Sequence, residues 1–248
     1  MNAQSAAMSP ILKVDRVSKR FGGLQALDGV EWEIGAGRMF AIIGPNGAGK
    51  TTLFSIIAGS QPPTEGRIWL EGRDITPLGP EERCTLGVAR TFQVPRPFAA
   101  LSVLDNVAVG CLDASRNVAE ARSAAMSVLE TLDMPQHAEK RAGSLSIGLR
   151  KRLEVAKALG TRPKVLLLDE VMGGLHGSEV DDMIETVRRL NRTGVTIVLI
   201  EHVLPAVMAL AESVTVLDQG RVIASGAPRE VTRDPAVIDA YLGDELVG

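Results

Sequence analysis

The 248-residue sequence has no long run of basic residues, and its formal net charge is −3. A protein that grips nucleic acid regardless of sequence needs many cations against the phosphates, so that class is excluded. Cysteine is nearly absent. Cys84 and Cys111 stand far apart, with no C-x-x-C and no histidine at metal-ligand spacing. That excludes a disulfide framework or a zinc site and fits ordinary thiols in a reducing compartment. No apolar stretch approaches the roughly 20 residues that cross a bilayer, and the opening MNAQSAAMSP has no basic region leading into an apolar one. The chain is therefore expected to be cytoplasmic, serving a membrane only through other chains. No repeat or low-complexity tract is present.

What is present is a composition 45% hydrophobic, ample for a core. The segments ILKVDRVSKRF, ALDGVEWEI and GRIWLEG alternate apolar with polar residues, the pattern of strands with one wet face. KVLLLDE (164–170) and TIVLIEH (196–202) are instead continuously apolar, as strands of a parallel sheet covered on both faces must be. Residues 115–132 place Val118, Ala121, Ala125, Val128, Leu129 and Leu132 at helical spacing, and helical patterns recur over 149–159 and 179–190. These elements predict one α/β domain over residues 1–248. Residues 1–92 and 161–248 form a parallel-sheet core with an antiparallel β subdomain, and 93–160 form an inserted α-helical subdomain.

The most specific stretch is GPNGAGKTT, Gly44, Pro45, Asn46, Gly47, Ala48, Gly49, Lys50, Thr51 and Thr52. It fits G-x-x-x-x-G-K-[ST] between an expected strand at 39–43 and a helix from about Lys50. Glycines let backbone N–H groups turn inward around phosphate oxygens, and the helix N-terminus adds unpaired donors and the positive end of its dipole. Lys50 brings a point charge to the outer phosphates, and Thr51 a hydroxyl for a magnesium ion. At the end of the buried run 164–170 stand Asp169 and Glu170. Alone, such a pair is read as a solvated strand end. Downstream of a complete phosphate loop it reads as a magnesium carboxylate, Asp169, followed by one that orients or deprotonates water, Glu170.

Taken in order, GPNGAGKTT, RTFQ, LSIGLRKRLEVAKAL, LLLDEVMGGL and LIEH resemble the motifs of an ATP-binding cassette (ABC) ATPase over nearly the whole chain. The resemblance implies a P-loop NTPase (RecA-like) fold, ATP and Mg2+ as ligands, and ATP hydrolysis. It implies that Gln93 contacts metal or water and links the site to a partner, that His202 serves the γ-phosphate side, and that Phe21 stacks on adenine unless it is a core residue. It implies too that Ser146 and Gly148 meet ATP held by the other protomer of a head-to-tail dimer, a homodimer or a heterodimer with a second ABC ATPase.

A narrower likeness, in GVARTFQVPRPFAALSVLDNVAVG and DAYLGDE, is to ATPase subunits of bacterial importers for branched-chain and related hydrophobic amino acids or amides. It implies polytopic permease subunits as partners, a substrate-binding protein acting indirectly, no nucleic acid, and a peripheral place on the cytoplasmic face of the inner membrane. The segment VPRPFAALSV is expected to form the docking surface for a short permease helix. Exporter and lipid-extraction ATPases share every catalytic motif. A soluble ABC ATPase acting on nucleic acid or the ribosome would instead show a second cassette, a coiled-coil insert or basic tails. Against the family pattern, Ile147 stands where glycine or tyrosine is frequent, Leu149 replaces glutamine, Val171 replaces proline, and His176 replaces aspartate or asparagine. The basic triplet 150–152 reads as the solvated side of the signature helix.

Overall fold

The structure, a computed structural model, describes residues 9–245. The alternating segments at the start form β1 (Leu12–Phe21) and β2 (Leu24–Ile34), an antiparallel pair with Leu12, Val14, Val17, Leu27, Val30 and Ile34 buried. β3 (Met39–Ile43) leaves this layer for the second sheet and leads through the glycine-rich loop into α1 (Lys50–Ile57). The chain returns through β4 (Glu65–Leu70) and the short β5 (Arg73–Asp74), completing a four-stranded antiparallel sheet in the order β2-β1-β4-β5.

α2 (Pro80–Leu86) and β6 (Val88–Arg90) lead to the helical segment, α3 (Val103–Cys111), α4 (Val118–Thr131) and α5 (Ile147–Gly160). Each of these three helices begins at a side-chain cap, Ser102, Asn117 or Ser146, whose oxygen accepts a backbone N–H of the first turn. In α4 the buried stripe is Ala121, Ala125 and Leu129, continued by Leu132 just past its end. Val118, placed by spacing on the same face, is exposed at the helix's first position. α5 begins two residues earlier than its apolar pattern suggests, so Gly148 lies inside its first turn and does not precede the helix.

The chain then alternates β7 (Val165–Asp169), α6 (Ser178–Arg192), β8 (Thr196–Ile200), α7 (Leu204–Leu210) and β9 (Ser213–Asp218). It ends in β10 (Arg221–Gly226), α8 (Pro228–Val231) and α9 (Pro235–Glu245). The second sheet runs β10-β9-β3-β8-β7-β6, parallel except for the β9–β10 hairpin. Its continuous apolar strands divide their side chains between two cores, as a period of two requires. Phe40, Ile42, Leu167 and Val198 pack with α1 and the antiparallel sheet. Ala41, Ile43, Leu166 and Leu199 pack with the helices on the other face.

One buried cation fastens α1 at the end remote from the glycine loop. Arg83 of α2 is 1% exposed and donates to the carbonyls of Ile56 and Ile57, the last residues of α1, and to those of Leu78 and Thr76. A guanidinium there satisfies carbonyls that a helix end leaves without partners and complements its negative dipole end. Arg83→Met removes these donors, leaving the Ile56 carbonyl with the Gly59 N–H alone. It is expected to lower stability by roughly 3 kcal/mol, the upper end of the cost of leaving a buried polar group unsatisfied, as measured by urea denaturation of the purified chain.

Candidate active site

The parallel register brings the carboxyl ends of three strands level. Ile42 of β3 pairs with Ile200 of β8, and Asp169 of β7 pairs with the same Ile200. Ligands of open α/β sheets sit at that edge. Here a cavity of about 980 Å³ opens, lined by Phe21, residues 46–52, Gln93, Glu170 and Arg221 among others.

The loop 44–49 needs its glycines for separate reasons. Gly44 has φ +144°, and a Cβ there would lie 2.0 Å from the carbonyl oxygen of Leu217 in β9. Gly49 has φ +101°, and its Cβ would lie 2.6 Å from the Ala26 carbonyl. Only glycine allows the loop to lie this close to both sheets. Lys50, the first residue of α1, is buried, and its ammonium donates to the Gly44 carbonyl at 2.6 Å and the Pro45 carbonyl at 2.8 Å. Thr51 is exposed on the first turn of α1.

Asp169 ends β7 and is 1% exposed. Its backbone N–H donates to the Thr91 hydroxyl at 3.0 Å, its Oδ2 accepts from Arg90 at 2.6 Å, and its Oδ1 is buried without a hydrogen-bond partner. Glu170 follows at φ +49°, an uncommon conformation for a non-glycine residue. Its N–H donates to the Ile200 carbonyl at 2.9 Å, and its Oε2 accepts from the Gln93 amide at 2.6 Å. The His202 Nδ1 stands 3.9 Å from the same oxygen. Gln93, Glu170 and His202 thus converge on one point from three loops. The donors Thr51 Oγ1, Asp169 Oδ1 and the Gln93 amide oxygen are the hard oxygen atoms that suit Mg2+, which keeps several waters and takes one or two carboxylates beside substrate phosphates.

Phe21 edges the cavity 45% exposed, with the Lys19 ammonium 5.0 Å from its ring centre, so it is not a core residue. Ser146 and Gly148 are not among the residues of this cavity. They lie at the exposed N-terminus of α5, where the Ser146 hydroxyl accepts from Leu149 N–H. His176 is exposed.

Three functional neighbours escape the sequence reading. Lys151, taken with its neighbours as a solvated face, is buried, and its ammonium donates to the carbonyls of Glu170, at 2.8 Å, and Gly173. The loop after β7 folds back over α5, and a lysine stem is long enough to reach it. Arg90 is the second, paired with Asp169. Glu201 is the third: it is 1% exposed, its Oε1 accepts from Met172 N–H at 2.9 Å, and its Oε2 is buried without a partner.

A phosphate-sized loop at a helix N-terminus, with two carboxylates at the neighbouring strand end, defines a P-loop nucleotide-binding cassette. Comparison with known proteins narrows the class. The family model described as "ABC transporter" matches residues 27–173, and that described as "Branched-chain amino acid ATP-binding cassette transporter" matches residues 221–247. The chain is 37% identical to the high-affinity branched-chain amino acid transport ATP-binding protein BraF of Pseudomonas aeruginosa, over 95% of this chain and 98% of BraF. Among solved structures it is similar to the ADP conformation of an ATP-binding cassette of an ABC transporter, with a TM-score of 0.87, 33% identity and coverage of 94% and 99%. It is similar also to a dimeric, post-hydrolysis cassette bound to ADP and Pi, with a TM-score of 0.79, 25% identity and coverage of 88% and 99%. The chain belongs to the ATP-binding cassette ATPases of ABC transporters.

Burial raises the Glu201 carboxyl to about 7 from 4.5, against the pull of the Met172 N–H and the Lys151 charge. Between those values the folded chain holds a proton that the unfolded chain has released. Stability therefore falls as pH rises from about 4.5, and the loss is complete above about 7. Glu201→Gln removes this cost. The variant is expected to exceed the parent at pH 8 by up to about 3 kcal/mol and to match it near pH 4.5, measured by urea denaturation at both values.

Proposed function

We propose that the chain is the ATP-hydrolysing subunit of an importer for branched-chain or other hydrophobic amino acids, or related amides. The observation that carries the substrate class is the likeness to BraF along almost the whole chain, reinforced by the family match over residues 221–247. The observation that carries the chemistry is the convergence of Gln93, Glu170 and His202 beside the phosphate loop.

In this reading Phe21 stacks on the adenine, and the backbone from Gly44 through Thr52 cradles the phosphates. Lys50 exchanges its loop carbonyls for phosphate oxygens, which accept from an ammonium more strongly because they are charged. Thr51, Asp169 and Gln93 serve Mg2+, which when bound adds positive charge against the phosphates. Glu170 orients and deprotonates the attacking water, while Gln93 and His202 hold its geometry from either side. Positioning and charge stabilisation are most of what phosphoryl transfer asks of a protein.

The N-terminus of α5 offers Ser146, Gly148 and free backbone donors away from its own cradle, so the second set of contacts comes from a partner cassette arranged head to tail, a second copy or a homologous ATPase. No helix among the described residues is long and apolar enough to cross a membrane. Permease subunits therefore supply the path, and this chain sits peripherally on the cytoplasmic face of the plasma membrane. Its docking surface is the groove of about 490 Å³ lined by Phe92, Arg96, Phe98, Val109 and Lys157, with Cys84 and Arg90 in its wall.

Glu170→Gln is expected to bind ATP and dimerise while turnover falls by roughly 10²-fold or more, the usual contribution of a general base. Steady-state phosphate release and sedimentation with ATP measure the two, and normal turnover would overturn the assignment. The same variant, tagged at native level and recovered from gently extracted membranes, is expected to bring down two polytopic permeases. Recovery of ribosomal or DNA-processing partners without membrane proteins would overturn the transport reading. Crosslinks from the permease are expected at residues 94–103, and a pattern that avoids them would remove the docking surface.

A further inference from the structure

Arg90 is a cation that the nucleotide chemistry above does not use, and it touches three parts of the molecule at once. It ends β6, the edge strand beside β7. One guanidinium nitrogen donates to Asp169 Oδ2 at 2.6 Å, and the other to Ser55 Oγ at 3.0 Å, the hydroxyl that in turn donates to the Thr51 carbonyl at 2.8 Å. The guanidinium carbon lies 5.8 Å from the Phe54 ring centre. The side chain also forms part of the wall of the groove between α2, α3 and α5.

Two details mark this pairing as changeable. Arg90 Nε is buried without a hydrogen-bond partner, and so is Asp169 Oδ1. The guanidinium is thus held through its terminal nitrogens alone, and the carboxylate keeps one oxygen ready for a second cation. A divalent cation at that oxygen and the guanidinium on its neighbour repel each other through the same buried carboxylate, where screening is weak. The space that could receive a displaced guanidinium is the groove.

We propose that Arg90 is a positioning residue that couples the groove to the metal-site carboxylate. It holds Asp169 when no metal is present and yields toward the groove when metal arrives, so whatever fills the groove acts against metal binding. By reciprocity, metal binding at Asp169 alters the affinity of the groove for its occupant by the same factor. The proposal rests on the assignment of Asp169 to the metal. It does not depend on the identity of the groove's partner.

The groove carries its own handle, because Cys84 lies in its wall half-buried and the chain's other thiol, Cys111, is buried. The full chain carrying Glu170→Gln against turnover and Cys111→Ala is alkylated at Cys84 with N-phenylmaleimide. Mn2+ binding in the presence of ATP is then read by electron paramagnetic resonance before and after alkylation. Filling the groove is expected to weaken Mn2+ binding about fivefold, the low end of ordinary coupling between sites. Cys84→Trp, which fills the same space without reagent, is expected to do the same. Arg90→Gln should make Mn2+ affinity indifferent to either change, and Arg90→Lys should keep part of the dependence. ATP binding in excess EDTA confirms that each variant folds. Mn2+ affinity that ignores the groove in the Arg90 protein, or still follows it in Arg90→Gln, overturns the coupling. Mn2+ binding that does not depend on Asp169 overturns the metal assignment itself.

Discussion

The site depends on holding the N-terminus of α1 open while everything else about that helix is closed. Free backbone donors are the reason a phosphate binds there, yet such donors are costly wherever water cannot reach them. The fold resolves this by burying the helix along its length, with Leu53, Phe54, Ile56 and Ile57 at 0% exposure, and by giving its far end the Arg83 guanidinium. β3 enters the loop with both of its faces covered by different cores. A loop between two such fixed elements has little freedom left, and preorganised donors need no rearrangement when charge develops.

The second constraint is register. Because β3, β7 and β8 end level, three loops that are far apart in sequence deliver Lys50, Glu170 and His202 to one place. The loop after β7 is then fixed in an uncommon backbone conformation, its N–H on Ile200 and its carbonyl on the Lys151 ammonium. Lys151 lies in the N-terminal half of α5, five residues after the cap Ser146, which is exposed. The first half of α5 and the backbone that carries Glu170 are therefore joined by one buried cation. The ammonium ties α5 to the loop after β7 at two points, the carbonyls of Glu170 and Gly173.

Contiguous chemistry was legible in the sequence, and chemistry assembled across elements was not. The phosphate loop, the strand before it and the helix after it are one unbroken stretch. The two covered strands announce themselves by continuous apolar runs. The hairpin of β9 and β10 closes through Gln219 and Gly220, both at positive φ, and was not marked as strand because Ser213, Thr215 and Asp218 interrupt the apolar run of β9, and Arg221, Ser225 and Gly226 that of β10. β6 has three residues, too few for any period to register. Lys151 looks like a surface cation because Arg150 and Arg152 flank it, and Arg90 is a lone cation in a strand too short to be read. Their burial follows from a loop and a strand edge that only the folded chain brings over them. Glu201 hid inside a motif read for its histidine.

The C-terminal segment joins this set by the same logic. α9 carries Tyr241, whose phenol is raised by burial, with the backbone of Gly44, the first residue of the phosphate loop, acting against that rise. Between α7, α9 and the strand ends lies a cavity of about 380 Å³ lined by Ile43, Glu201, His202, Val237 and Tyr241. The family match over residues 221–247 therefore does not fall on a remote appendage. It covers a helix seated against the start of the cradle and the histidine that faces Glu170. Val237 and Tyr241 of that helix share the cavity with Ile43, the residue that leads into the loop. The residues that ally this chain with one branch of transporters are thus placed to affect the site whose chemistry all branches share.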